Sequence, residues 1–158
     1  MVRKSRKPAD SQHIPVAVNF GMVIAAMSEL GIAIHPASQK ANRGRASING
    51  VPFLFALLPT AAIVRGVVEF PDPSAADDVI PHVSWLLACN QVNVSLDCGR
   101  ASVVSVPDGY QLRAEVELPL ATGLSRRQLR SGLQAAVDQV FSILEETEAA
   151  QLSTGSRP

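Results

Sequence analysis

The sequence predicts an α+β fold, an antiparallel five-stranded sheet with packed helices in the order α-β-β-β-α-β-β-α. Three observations carry this. Over residues 110–118, Tyr110, Leu112, Ala114, Val116 and Leu118 alternate with Gln111, Arg113, Glu115 and Glu117, the pattern of a strand with one face on a core. After Pro119 the period becomes helical, with Leu129, Leu133, Ala136, Val137, Val140, Phe141 and Leu144 on one stripe. Earlier in the chain, Asn49-Gly50 between two apolar runs is the strongest short hairpin signal a sequence carries.

Taken in order, residues 1–14 read as a disordered tail, with Arg3, Lys4, Arg6 and Lys7 set among Ser, Pro and Asp. A single domain follows over 15–150, and 151–158 read as a second disordered tail. The first helix is expected from Pro15, which suits a first turn, to Leu30, with Gly31 as its terminating residue. Its apolar stripe is Phe20, Val23, Ile24, Met27 and Leu30. His35-Pro36 then opens a polar loop to Gly44.

Strands are expected at 45–48, 51–58 and 61–70. The second is apolar on both faces, with Phe53 and Phe55 against Leu54, Ala56 and Leu58. Such a strand needs cover on both sides or leaves an apolar surface. A second helix begins after a cap at Asp78, which keeps Pro81 in the first turn, where no intrahelical N–H is lost. It carries two apolar stripes. Val79, Val83, Leu86 and Leu87 are expected to face the sheet, leaving Trp85, Cys89 and Val92 on another side.

Residues 91–100 read as a polar connector to a hairpin of strands 101–106 and 110–118. Pro107-Asp108-Gly109 suits a three-residue loop with a bulge. Ser125 and Gln128 form a capping box ahead of the last helix.

Composition narrows the function. The 158 residues are 47% hydrophobic and 18% charged, enough for a real core. Aromatics are only 4%, so that core is aliphatic. Formal net charge is zero, which argues against bulk attraction to nucleic acid or a membrane surface. No apolar run reaches bilayer-spanning length. The basic start lacks the apolar stretch of a secretory signal. Two cysteines are too few for a disulfide framework, so a cytoplasmic location is expected, although a Cys89–Cys98 bridge stays open.

No catalytic or metal constellation emerges. His13, His35 and His82 are scattered, and Cys89 and Cys98 lack the spacing of a zinc site. Phosphate-binding glycine loops and nucleophile elbows are absent. Asp77-Asp78 reads as a helix-start pair, Cys89 as an inert buried thiol, and Arg113, Glu115 and Glu117 as solvated surface.

The motifs Cys89-Asn90-Gln91-Val92-Asn93, Ala101-Ser102-Val103-Val104, Pro107-Asp108-Gly109, Ala114-Glu115, Gly123-Leu124-Ser125, Gln128-Leu129 and the stretch 141–145 together resemble the YbjN-type proteins of actinobacteria. That group is similar in fold to type III secretion chaperones. The resemblance covers roughly the C-terminal half and departs from the pattern at Pro81 and in the connector 94–100. It implies a chaperone-like fold, often dimeric, that binds peptide segments of partners, with no catalysis and no cofactor.

The resulting expectation is a non-enzymatic peptide- or protein-binding module, chaperone-like or regulatory, without cofactor or metal, forming a homodimer. Trp85, Cys89, Val92, Phe53 and Phe55 are its expected partner or dimer contacts. The alternatives are a regulator touching nucleic acid through its basic N-terminal tail, and an enzyme with no recognisable motif.

Overall fold

The computed structural model describes residues 14–71 and 80–155. Its elements are α1 (Phe20–Glu29), β1 (His35–Pro36), β2 (Arg43–Ile48), β3 (Val51–Leu57), β4 (Ala61–Pro71), α2 (Ile80–Ser95), β5 (Arg100–Val106), β6 (Gly109–Pro119) and α3 (Arg126–Gly155). The strands form one antiparallel sheet of six in the order β1-β2-β3-β4-β6-β5. The expected basic tail and the cap at Asp78 fall on residues 1–13 and 72–79, outside the described residues.

The sheet has six strands, not five. The added one is His35–Pro36, where the sequence suggests only the start of a loop. It pairs His35 with Arg45 and Pro36 with Gly44 at the sheet edge, the place where a proline without N–H is tolerated. Gly44 makes room for it. A Cβ there would stand 2.9 Å from the His35 carbonyl oxygen and 2.6 Å from Ile34 Cγ2.

Local signals hold where the chemistry is local. Asn49 and Gly50 have φ of 51° and 83°, the left-handed pair a tight hairpin needs, and Ile48 pairs with Val51 across them. Ser125 and Gln128 form the reciprocal capping box. The Ser125 N–H donates to Gln128 Oε1 at 2.9 Å, and the Gln128 N–H donates to Ser125 Oγ at 3.3 Å.

Other boundaries move. α1 starts at Phe20 rather than near Pro15, because the Asn19 side chain accepts the Met22 N–H at 3.0 Å and caps the helix there. Val16, on the segment before it, bridges to Leu124. The turn after β5 is one residue tighter than expected, with Val106 paired to Gly109 across Pro107-Asp108. α2 extends to Ser95, and residues 151–155, expected in a tail, continue α3.

The helices share one side of the sheet. Ala46, Phe53, Phe55, Val64, Leu112 and Ala114 point into one core with Val23, Met27, Leu133, Val140 and Ile143. Alternation sends the intervening side chains to the opposite, helix-free face. There one cross-strand row runs His35, Arg45, Leu54, Arg65, Glu115, Arg100.

Candidate functional site

α2 contains apolar residues on nearly every side, so its neighbours decide its orientation. It packs between β5 and α3. Ala88, Cys89 and Val92 are buried, and half-buried Trp85 sits on the same side, its ring 4.5 Å from that of Phe70. The helix is fixed to the sheet edge by Asn93. Its side chain accepts the Ala101 N–H at 2.7 Å and donates to the Ala101 carbonyl at 2.9 Å, closing the outer edge of β5 at that residue. Gln151 Nε2 of α3 donates to Ser84 Oγ at 3.3 Å, joining the far end of α3 to the start of α2.

The sequence expectation for α2 is thereby inverted. Trp85, Cys89 and Val92, expected from the sequence at a partner contact, face this chain's own core. Val83, Leu86 and Leu87, assigned to the sheet, are 48%, 40% and 51% exposed, and Val94 is 90% exposed. Val79 lies outside the described residues. The physical reason is Phe70, which supplies an aromatic surface for Trp85, together with the Asn93 clamp, which turns the Cys89–Val92 side inward. Phe53 and Phe55, also expected at an interface, are 2% and 1% exposed in the core. Phe53 lies 6.2 Å from Phe55 and 5.3 Å from Phe141, ring to ring. In strand geometry both point to the helices, while Leu54 between them and Ala56 after them face outward.

Four of the exposed large hydrophobic side chains among the described residues therefore lie on the outer side of α2. Val83, Leu87 and Val94 recur along one side of the helix, with Leu86 beside them. Leu152, 70% exposed, belongs to the part of α3 that the Gln151–Ser84 bond holds near the start of α2. The alternation of apolar residues in the sequence reveals two stripes but not which one the sheet takes.

On the helix-free face, Glu115 is 6% exposed and is not the solvated side chain its strand pattern suggests. Arg65 Nε donates to Glu115 Oε2 at 2.6 Å, and Arg100 pairs with Oε1. Burial by itself raises this carboxyl, but hydrogen bonds and charge from Arg65 and Arg100 outweigh it and hold Glu115 below the ordinary glutamate value. Arg113 donates to Gln111 Oε1 at 2.8 Å, and Gln111 passes a bond on to Glu69 at 2.8 Å. At the α1–α3 junction, Glu29 pairs with Arg126 and lies 3.8 Å from Arg130.

Cys89 and Cys98 are both free thiols. Burial pushes the Cys89 thiol up to about 11, which makes it a poor nucleophile at neutral pH. Among the described residues no group of three or more His, Cys, Asp or Glu side chains is placed to hold a metal ion. No described helix is long and apolar enough to cross a membrane.

No protein-family model matches the sequence, and no curated protein matches it. The fold is similar to a solved structure, that of YbjN from E. coli, described as a candidate transcription regulator. The two agree with a TM-score of 0.67 at 16% sequence identity, over 87% of this chain and 97% of that one. The chain thus has a YbjN-like α+β fold.

Proposed function

We propose that this chain is a non-enzymatic protein-binding module of regulatory or chaperone-like kind, and that the outer side of α2 is its contact surface. One observation carries the reading: Val83, Leu86, Leu87 and Val94 stand exposed together on a helix whose other side buries Ala88, Cys89 and Val92 in the core. Water-facing apolar groups gathered on one element mark contact sites more often than scattered single ones do. Covering one such side chain is worth about 1.5–3 kcal/mol, so four of them suffice to anchor a partner. The description of YbjN as a candidate transcription regulator is in keeping with a regulatory role. The homodimer is kept as part of this proposal, with its contact moved from Trp85 to the opposite side of the helix.

The test pairs wild type with Leu87→Glu. Light scattering at low micromolar concentration reads self-association, and affinity capture with mass spectrometry reads other partners. The expected result is a defined complex, homotypic or heterotypic, that the substitution abolishes while the melting temperature stays within a few degrees. A complex that survives Leu87→Glu and Val94→Glu alike assigns binding elsewhere and overturns the proposal.

A further inference from the structure

The helix-free sheet face holds cations that no carboxylate among the described residues answers. In the row across the sheet, Glu115 serves Arg65 and Arg100 at one end. At the other end Arg45 stands beside His35 on β1 and Leu54 on β3, with Arg43 two residues away on the same side of β2. Among the described residues no carboxylate pairs with Arg43 or Arg45, and both are exposed. His35, Arg43, Arg45 and Leu54 line a hollow of about 390 Å³. A second hollow of about 210 Å³ adjoins it, sharing Arg45 and Leu54 and reaching Arg65 and Arg113.

We infer that this face binds an extended acidic segment of another protein, with carboxylates on Arg43 and Arg45 and an apolar side chain on Leu54. Three features select that occupant. Alternate side chains on a strand lie roughly 7 Å apart, so Arg43 and Arg45 match alternate carboxylates of an extended partner. Guanidinium groups are strong, charge-assisted donors to carboxylates, and Glu115 already takes one arginine on each of its oxygens. Between the cations, Leu54 and Val67 supply apolar surface that a peptide can meet and a phosphate chain cannot. Nucleic acid fits less well. Among the described strand residues no Phe, Tyr or Trp lies on this face for bases to stack on. The inference is independent of the α2 surface, which lies on the helix side of the sheet.

The experiment is fluorescence anisotropy of a labelled peptide of alternating glutamate and valine, titrated with the full chain, beside a single-stranded oligodeoxythymidine probe. Saturable peptide binding that weakens with added salt is expected. Arg45→Gln and Arg43→Gln should each weaken it about tenfold, the cost of one charge-assisted contact. Arg127→Gln, an exposed cation on α3, and Leu87→Glu should leave it unchanged. Thermal melts of each variant confirm the fold. Absence of saturable peptide binding overturns the inference. So does equal weakening by Arg127→Gln, or tighter binding of the oligonucleotide than of the peptide at the same ionic strength.

Discussion

Val140 of α3 rests on Gly66 of β4: a Cβ at Gly66 would lie 2.6 Å from Val140 Cγ1. Leu144 Cδ1 at 3.3 Å and Phe53 Cζ at 3.5 Å close the same space. The missing side chain lets the longest helix settle on the middle of the sheet. Gly66→Ala should therefore destabilise by about 1–3 kcal/mol through overpacking, read from the urea midpoint. Adding Val140→Ala should recover part of the loss, because it removes the atom in the way. Equal losses that simply add would show the two sites are not in contact.

Glu115 ties stability to pH. Its folded carboxyl lies below the ordinary value, so its contribution is present above the unfolded value, about 4.3, and is lost as pH falls through the folded one. At neutral pH, Glu115→Gln should cost about 1.5–3 kcal/mol, the range for hydrogen bonds to charged groups. Below roughly pH 4.3 the gap between variant and wild type should narrow. A gap independent of pH would mean the carboxylate charge contributes nothing beyond shape.

The two thiols should react very differently. Cys98 is exposed, whereas Cys89 is buried and its thiol is pushed up to about 11. Iodoacetamide at neutral pH should label one site in the native protein, and Cys98→Ser should abolish that labelling. Cys89 should become reactive only in denaturant. Rapid native labelling of Cys98→Ser would show that the α2 core opens readily.

Trp85 and Leu87 separate stability from binding. Trp85→Ala removes the ring packed at a tilt against Phe70 and should cost about 2–4 kcal/mol, near the lower part of the range for a large aromatic because Trp85 is only half-buried. Leu87→Glu changes a water-facing position and should stay within about 0.5 kcal/mol of wild type. The denaturation midpoints check this directly. The reverse order would return Trp85 to the surface and Leu87 to the core.

What the sequence determined by itself is what a few neighbouring residues settle. Asn49-Gly50 sets a hairpin because two left-handed residues in succession leave the chain little else to do. Ser125 and Gln128 start α3 because each satisfies the other's backbone N–H. The alternation through Leu112, Ala114 and Val116 sends those side chains to the core, since a strand has only two faces. The start of α1 lies a few residues beyond Pro15, because the Asn19 side chain takes the Met22 N–H and caps the helix there.

Tertiary structure decided the rest. A two-residue strand at His35-Pro36 is too short to show a period, and it exists because Gly44 lets it approach. α2 is apolar on two sides, so burial of either is equally favourable until Phe70 and β5 are in place beside it; the candidate contact surface depended on that choice. The row of Arg45, Arg65, Glu115 and Arg100 joins four strands that are distant in sequence. Side-chain pattern fixes which face each of these residues occupies, but only strand register brings Arg65 and Arg100 to one carboxylate.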